Sequence, residues 1–355
     1  MNKKDHNKNI INDSTHLFYS DKGLFDNIIN SCFLNAWHAL GPVDKFIKKG
    51  FSPASILKCD NAMPIIVSSH NDTKGLQVLS NSCTHRGHIV TETCTRQKTL
   101  RCPYHGRKFD YNGEAISAPG FKKNDDFPKE NDHLFKLQTY IFSGILFASI
   151  SDNDYKFFKT INNLASWFPF DRLSFNKALS KSYTIPCHWT LYVENYLEGL
   201  HVPFIHHGLS SEIDLASYKT EVSENTIIQY AKSSNSKTCL RSIDKAPKNL
   251  HEYYGMYIYM FPNLMINIYN WGISYNHIIP VSTNSTIVEY MVFSFDKNMS
   301  PTGDDAIDRV EMEDQEAISS VQRGVRSPIF RHGDLSATDE VGVSEFRKIL
   351  RNAIK

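Results

Sequence analysis

Two short stretches of the chain combine cysteine and histidine at spacings that could bind metal. Cys83 and His85 are separated by one residue, Cys102 and His105 by two, and sixteen residues lie between the pairs. If each pair sits on a turn, its two side chains can point to one centre. The turn-forming residues beside the pairs are Gly87, Pro103 and Gly106. The sequence therefore predicts one metal site built on a pair of loops.

The order of the ligands bears on which metal the loops would hold. Two cysteines and two histidines also form tetrahedral structural zinc sites, but zinc fingers usually group the cysteines together and the histidines together. Here each pair has one of each, as a cluster with thiolates on one iron and imidazoles on the other would require. The order favours an iron–sulfur cluster over structural zinc.

A second group of candidate ligands lies in the segment ENYLEGLHVPFIHHGL. On a regular helix Glu198 and His201 would be about 60° apart, so the carboxylate could orient the imidazole. His201 and His206 would be about 140° apart, but Pro203 disrupts the helix between them and can bring His206 back. By helical angle His207 is as good a ligand as His206.

Asp314 lies in the centre of a predicted apolar stripe on a helix. The apolar residues at helical spacing are Ile307, Val310, Ile318, Val321 and Val325. An ionised carboxylate on a buried face is costly unless it pairs with a cation or binds metal. With two histidines it would complete a two-histidine, one-carboxylate set for non-haem Fe(II). Glu311 is the fallback ligand on the same face, and Gln322 could support Asp314 there.

Two kinds of domain are predicted to position these groups. Short apolar runs broken by glycine, proline, asparagine and aspartate over 33–150 are typical of a small all-β domain. Strand-like runs bracketed by helices around 190–207 and 304–326 make residues 183–355 an α+β domain. Residues 1–32 form a polar segment with a lead-in helix, and 151–182 form a junction.

Aromatic residues alternate along predicted strands of the second domain. Tyr257, Tyr259 and Phe261 would share one face, and Tyr269, Trp271 and Tyr275 repeat the pattern. Such a face can hold a quaternary ammonium ion by cation–π attraction or pack an aromatic ring. It is a candidate substrate pocket, and the alternative is an ordinary core sheet.

Composition limits the remaining functions. The net charge is +1, which gives no electrostatic reason to expect nucleic acid or an anionic membrane as a partner. The longest apolar run spans 11 residues, far short of the ~20 that cross a bilayer. The first sixteen residues have no apolar stretch of the kind found in secretory signals, so we expect a cytoplasmic protein with reduced cysteines.

The first motif resembles the Rieske family, whose Cys-x-His, spacer, Cys-x-x-His pattern is matched in full. The second resembles the catalytic domain of Rieske ring-hydroxylating oxygenases, with Asn195, the acidic Glu198, two histidines, and a later Glu-Asp followed by Gln. The resemblance spans about 37–350. It implies an α+β chain with an all-β Rieske [2Fe-2S] domain, followed by a helix-grip (START-like) α+β catalytic domain with an antiparallel sheet.

The resemblance also assigns ligands. Cys83 and Cys102 would hold one iron of the cluster, and His85 and His105 the other. His201, His206 and Asp314 would hold the mononuclear iron.

In this family Glu198 would bridge His201 to His105 of a neighbouring subunit, which implies a head-to-tail homotrimer. Branches that act on quaternary amines, such as choline, often have glutamate at this position. The chain would be an oxygenase component that hydroxylates a small molecule with O2. Electrons would come from a ferredoxin or flavin reductase that uses NAD(P)H, because no nicotinamide motif appears here. The alternative is a Rieske electron-transfer protein without oxygenase activity.

Overall fold

The structure is a computed structural model that describes residues 16–47, 50–69, 75–122, 125–151, 155–296, 298 and 304–354, except for the side chains at 155, 156, 236 and 304–308. The chain divides into two compact units. One is Asn35–Asn153, and the other combines Met1–Leu34 with Asp154–Lys355. Each unit is described by itself.

The smaller unit is built of antiparallel strands. Its strands are β1 (His38–Pro42), β2 (Phe51–Ile56), β3 (Met63–Ser68), β4 (Gln77–Ser80), β5 (Leu100–Arg101), β6 (Lys108–Phe109), β7 (Ala115–Ser117), β8 (Lys136–Phe142) and β9 (Ile145–Ser149). Six of them form a sheet in the order β1-β9-β8-β4-β3-β2, and β5-β6-β7 form a small second sheet. The predicted all-β domain is confirmed.

The long connection between β4 and β5 is fastened to the rest of this unit at Thr95. Thr95 and Phe51 exchange two backbone hydrogen bonds of 2.8 and 3.0 Å. Gly50 approaches Thr95 so closely that an added Cβ would lie 2.3 Å from the Thr95 carbonyl oxygen, and its φ is +75°. Only glycine allows that approach with that backbone angle.

The larger unit combines a sheet with helices. Its helices are α1 (Lys22–Ile28), α2 (Tyr155–Ala165), α3 (Trp189–Tyr196), α4 (Val202–Ile205), α5 (His207–Glu212), α6 (Asp304–Val325) and α7 (Val341–Ala353). Its strands are β10 (Ser174–Phe175), β11 (Lys181–Ile185), β12 (Ile213–Ser223), β13 (Thr226–Ser233), β14 (Tyr253–Met260), β15 (Leu264–Tyr269), β16 (Gly272–Ser282) and β17 (Ser285–Ser294). The sheet order is β10-β17-β16-β15-β14-β13-β12, with β11 also paired to β17.

Consecutive strands from β12 to β17 pair as antiparallel hairpins, so this sheet forms from contacts that are local in sequence. Together with the helices it makes the predicted α+β unit. Residues 155–182, most of the predicted junction, contain α2 and β10 and belong to this same unit.

Helix α3 is held firmly within the larger unit. Trp189 at its first turn is fully buried, with its ring 4.9 Å from Phe33 and 5.7 Å from Phe346 of α7. Glu194 accepts two 2.8 Å hydrogen bonds from the Arg347 guanidinium, the bidentate arrangement that an arginine fork favours. The residues that follow α3 therefore start from a fixed point.

The helical stretch predicted around 190–207, with an interruption at Pro203, forms α3, a turn, α4 and the start of α5. The helix predicted at 304–326 is confirmed as α6. Within the described residues, no helix combines the length and apolar character needed to cross a membrane.

Candidate metal centres

The two cysteine–histidine loops of the smaller unit have the same backbone design. In each, the cysteine amide donates to the carbonyl five residues later, and the amide four residues later donates back to the cysteine carbonyl. The two pairs of hydrogen bonds are Cys83–His88 with Gly87–Cys83, both 2.8 Å, and Cys102–Arg107 with Gly106–Cys102, 2.8 and 3.0 Å. Both glycines have φ between +72° and +75°, which favours glycine.

In both loops the cysteine is buried and the histidine is exposed. Cys83 and Cys102 are 3% and 2% exposed and belong to the hydrophobic core of the unit. His85 and His105 are exposed, with ring centroids 4.7 Å apart. Thiol lies beside thiol on the inside, and imidazole beside imidazole at the surface. This segregation fits a cluster whose two irons have different ligands.

The pKa shifts in the loops favour the neutral form of both Cys83 and His105. The neutral form is the metal ligand for histidine but not for cysteine. Burial, together with the neighbouring Cys102, raises the pKa of the Cys83 thiol, and a bound cation would favour the thiolate. Desolvation and the nearby His85, Arg86 and His88 lower the pKa of His105. The neutral form is the one that binds metal.

In the larger unit, Glu198 and His201 lie in the turn after α3. The Glu198 carboxylate is hydrogen-bonded to His201 Nδ1 and to the backbone amide of Leu200, and it accepts from the His201 amide at 3.3 Å. The expected contact is present, but the expected regular helix is not. The carboxylate satisfies amides that would otherwise belong to a continuing helix.

His201 and His206 are brought together by breaks at both ends of the four-residue α4. Pro203 is not the break, because it occupies the first turn of α4, where a helix tolerates proline. His206 itself leaves the helix with φ −111° and ψ 65°. The two rings are 5.1 Å apart between centroids. His206 is 1% exposed whereas His207 is exposed, so the structure separates two residues that helical angle left equal.

Asp314 of α6 faces both histidines. Its Oδ1 lies 3.0 Å from His206 Nε2 and 3.7 Å from His201 Nε2. One ligand atom from each of the three residues lies within 4.8 Å of the others, which is the spacing needed to share one ion. The side chain of Asp314 is 16% exposed, so the group is partly buried but not closed.

Each histidine has a carboxylate on its other ring nitrogen. Glu313 is 2.8 Å from His206 Nδ1, and Glu198 is bonded to His201 Nδ1. Burial acts to lower the pKa of His206, but the contacts with Asp314 and Glu313 outweigh it and raise the pKa. A metal ion at Nε2 would replace the proton that these contacts otherwise favour. The donor set therefore fits a cation.

Asn195 and Glu313 are two residues whose contacts were not foreseen. Asn195 Nδ2 donates to Asp314 Oδ1 at 2.7 Å, across the contact between α3 and α6. The position of Glu313, directly before Asp314 on a helix, gave only a weak signal, because adjacent helical residues point about 100° apart. It reaches His206 because the histidine lies between these two side chains.

The buried face of α6 differs from the predicted stripe. Ile318 and Val325 are buried as expected, Val310 is half-buried, Val321 is 47% exposed, and the side chain of Ile307 lies outside the described residues. The helical wheel of α6 placed Val321 on the buried face. Buried polar residues, Glu311 and Gln322, occupy part of that face instead.

The fallback ligand Glu311 is directed away from the histidines. It is 4% exposed and hydrogen-bonded to Tyr290, to Tyr192 at 3.1 Å and to Gln315 at 2.9 Å. Burial raises its pKa to about 7. Gln322 does not support Asp314 either, because its amide oxygen accepts from the His188 amide at 2.7 Å.

The predicted aromatic pocket divides into two groups. Tyr257 and Tyr269 are half-buried with rings 5.9 Å apart, and Trp271 stacks on Tyr269 at 5.0 Å. Tyr259 is fully buried, bonds the Pro262 carbonyl at 2.9 Å, and is a core residue.

Phe261 packs towards Phe346 of α7, at 6.5 Å between centroids. Tyr275 pairs with Ile266, whose face is opposite to that of Asn267 and Tyr257, so it does not extend the pattern. Side chains alternate between the two faces only along one strand. Because the β15–β16 hairpin turn lies between Tyr269 and Tyr275, the alternation that starts at Tyr269 does not continue to Tyr275.

Further tyrosines surround the first group. Tyr254 lies 6.1 Å from Tyr269 by ring centroid. Burial and the neighbouring phenols of Tyr269, Tyr254, Tyr218 and Tyr196 raise the pKa of Tyr257. Tyr196, Tyr218, Tyr254, Tyr257, Tyr269 and Trp271 are called the aromatic cluster below.

Comparison with known proteins agrees with these two centres. A family model described as Rieske [2Fe-2S] domain matches residues 37–140, and one described as ring hydroxylating alpha subunit (catalytic domain) matches 171–355, more than half of the chain. The chloroplastic choline monooxygenase of Arabidopsis thaliana is 25% identical, over 95% of this chain and 82% of that protein. The carnitine monooxygenase oxygenase subunit of Acinetobacter pittii is 22% identical, over 93% of this chain and 90% of its own length.

A solved structure of the quaternary ammonium Rieske monooxygenase CntA with L-carnitine has the same fold, with a TM-score of 0.75 and 18% identity. The match covers 96% of this chain and 95% of that one. The chain belongs to the family of ring-hydroxylating alpha subunits, and it is a Rieske oxygenase whose cofactors are a [2Fe-2S] cluster and a mononuclear iron.

Proposed function

We propose that His201, His206 and Asp314 hold the mononuclear Fe(II). The observation that carries this is that one ligand atom from each of the three residues lies within 4.8 Å of the others, that Asp314 Oδ1 faces both Nε2 atoms, and that each Nδ1 has a carboxylate partner. Such a facial set leaves coordination positions open, where the iron supplies O2 activation. Glu198 and Glu313 fix the tautomer of the histidines, and Asn195 fixes the rotamer of Asp314.

We further propose that Cys83 and Cys102 bind one iron of the cluster and that His85 and His105 bind the other. The buried thiols and exposed imidazoles support this division. Because imidazoles replace two thiolates, the cluster would have a raised reduction potential and could accept electrons from a ferredoxin or flavin reductase. NAD(P)H would act only through that reductase.

Electron transfer is proposed to run between subunits of a homotrimer. Glu198 would join His201 to the neighbouring subunit's cluster through His105. Exposed apolar side chains accompany both partners in a single chain: Tyr104 is 54% exposed beside His105, and Leu200 and Phe204 are 45% and 77% exposed after Glu198. Apolar groups at such positions are suited to a protein–protein contact.

The proposed substrate is a small quaternary amine, which would be hydroxylated. The aromatic cluster supports this, because aromatic faces attract a desolvated cation by about 2 kcal/mol. Relatives named for choline and carnitine point the same way. A purely aromatic substrate is the competing candidate, since the same rings can stack on it.

Metal analysis of purified protein tests the two centres. We expect about three irons and about two acid-labile sulfides per chain, and one iron fewer in Asp314→Ala with the Rieske EPR signal retained. Two irons in both proteins would leave an electron carrier and refute the iron site.

Substrate class is tested by oxygen consumption with product identification. Choline and carnitine should stimulate coupled turnover, whereas their neutral tert-butyl analogues should not. Tyr257→Leu should raise the substrate dissociation constant about thirtyfold if one cation–π contact is lost. Tyr257→Phe, which keeps the aromatic face, is the matched control. Coupled turnover of a neutral arene alone would overturn the quaternary-amine assignment.

A further inference from the structure

Arg107 is a buried arginine at the end of the second cysteine–histidine loop. Only 6% of the residue is exposed. Its Nη1 donates to Thr84 Oγ1 at 2.9 Å and to Asp132 Oδ1 at 2.7 Å. Thr84 lies between Cys83 and His85 of the first loop, so one guanidinium joins the two loops that carry the ligands.

The contacts form a closed ring of three residues. Thr84 Oγ1 accepts from Arg107 and donates to the backbone carbonyl of Asp132 at 2.8 Å. Asp132 Oδ2 in turn accepts from the Lys129 amide at 2.8 Å. That amide and Arg107 hold the pKa of Asp132 below its usual value, so the pair is ionic at neutral pH. These hydrogen bonds therefore connect the first cysteine–histidine loop, the second cysteine–histidine loop and the segment 129–132.

An ion pair in this position is not explained by stability alone. The guanidinium is buried and the Asp132 carboxylate is partly exposed, and the desolvation cost of such a pair offsets much of its attraction, so the pair is weak evidence for stability. The guanidinium lies over the Phe127 ring at 5.2 Å, and its Nε has no hydrogen-bond partner within the described part of the chain. The guanidinium thus contacts an aromatic ring as well as Thr84 and Asp132, and one of its hydrogen-bonding groups is unused.

The charge of Arg107 is less screened than that of its partner. The side chain of Arg107 is 7% exposed, whereas that of Asp132 is 22% exposed. Interactions of a buried charge are weakened less by water and salt than those of a more exposed one. Within the pair it is the guanidinium, not the carboxylate, that bonds Thr84 between Cys83 and His85, so the positive end of the pair faces the first ligand loop.

We propose that Arg107 positions the two ligand loops against each other and raises the reduction potential of the [2Fe-2S] cluster. This rests on the proposed cluster ligands. Reduction adds one negative charge between the loops, and a fixed positive charge beside them stabilises the reduced state relative to the oxidised state. Arg107 is a positioning residue because its side chain acts by the hydrogen bond to Thr84 and by its charge, without touching iron.

The test is a redox titration of the holoprotein followed by visible circular dichroism. Arg107→Gln should lower the reduction equilibrium constant about tenfold, which is a shift of about 59 mV for one electron. Asp132→Asn, which removes the opposing charge, should shift the potential upward. The matched control is Arg101→Gln: Arg101 adjoins Cys102 but is exposed, so its loss should change the potential by much less.

Opposite signs distinguish the proposal from a structural role, since mere loosening of the loops would move both variants in the same direction. Equal shifts in Arg107→Gln and Arg101→Gln, or shifts of one sign in Arg107→Gln and Asp132→Asn, would overturn it. If Arg107→Gln loses the cluster, Asp132→Asn must still raise the potential relative to Arg101→Gln, and failure to do so counts against the proposal. Wild-type protein without a Rieske signal would instead refute the cluster assignment itself.

Discussion

Asn195 Nδ2 and Asp314 Oδ1 are 2.7 Å apart, and the oxygen that accepts this hydrogen bond is the one that faces both histidine Nε2 atoms. The amide leaves Oδ1 one lone pair for a metal and fixes its direction. Asn195→Ala should therefore weaken Fe(II) binding about 10- to 100-fold without removing the cluster. Ferrous titration of iron-stripped protein measures this, and unchanged affinity would contradict the assigned role.

Glu313 is expected to act through His206. Glu313→Gln should lower iron affinity by a similar factor, because the amide holds the imidazole less strongly than the carboxylate does. Glu316→Gln, three residues later on α6 and exposed, is the matched control and should bind iron like the wild type. If the two variants bind equally well, the Glu313 contact has no part in the site.

The adjacent histidines allow a direct comparison. His206→Ala should lose the mononuclear iron and all oxygenase turnover, because it removes one of three ligands. His207→Ala should retain the mononuclear iron and the oxygenase turnover within about twofold, since a substitution at an exposed position usually has a small effect. Iron content per chain and turnover decide the matter; the reverse pattern would assign the ligand to His207.

Glu311 should make the stability of the iron-stripped chain depend on pH. Its pKa of about 7 lies above the ordinary value of 4.5, so the folded state binds the proton more tightly than the unfolded chain does. The stabilisation is complete below pH 4.5 and is lost as pH rises through 7, by up to about 3 kcal/mol.

In chemical denaturation, Glu311→Gln should gain stability relative to the wild type as pH increases over that range. Glu316→Gln, at an exposed position of the same helix, is the control for removal of one carboxylate. A Glu311→Gln curve parallel to that of the wild type would show that this carboxyl does not titrate there.

Mixed oligomers should reveal electron transfer between subunits. Asp314→Ala keeps its cluster and His105→Ala keeps its iron, so neither variant should turn over alone. In a cyclic trimer containing both, one of the three head-to-tail contacts joins an intact cluster to an intact iron, so about a third of wild-type activity should return. Doubly tagged, co-purified oligomers provide the assay. No recovery in such oligomers would contradict transfer across the subunit contact.

The sequence predicted the parts of the structure that depend on local pattern. The hairpins of the larger sheet and helix α6 follow from strand runs and helical spacing, and the turn glycines Gly87 and Gly106 marked the two loops. His201 was a candidate from its segment and Asp314 from its place on an apolar stripe. The family resemblance chose His206 over His207. The structure brings the three within reach of one ion.

The remaining features depend on contacts between distant segments. The side chain of Asn195 meets that of Asp314, 119 residues away, and no period in either helix predicts that. Arg107, Thr84 and Asp132 meet for the same reason. The helical wheel predicted the Glu198–His201 contact correctly but assumed a regular helix there. Helix α3 instead ends at Tyr196, and the Glu198 carboxylate bonds the amides of Leu200 and His201 in the turn that follows. The trimer and the cytoplasmic location stay predictions.

The bridge between Phe51 and Thr95 has a practical consequence. It holds the connection between β4 and β5 to the sheet immediately after Cys94, which is exposed, while the two cysteines of the loops are buried. With the partly exposed Cys59 replaced by serine, a thiol-selective spin label at Cys94 would therefore lie at a fixed point of the smaller unit. In an oligomer, the dipolar coupling between two such labels would give the distance between the smaller units of neighbouring chains.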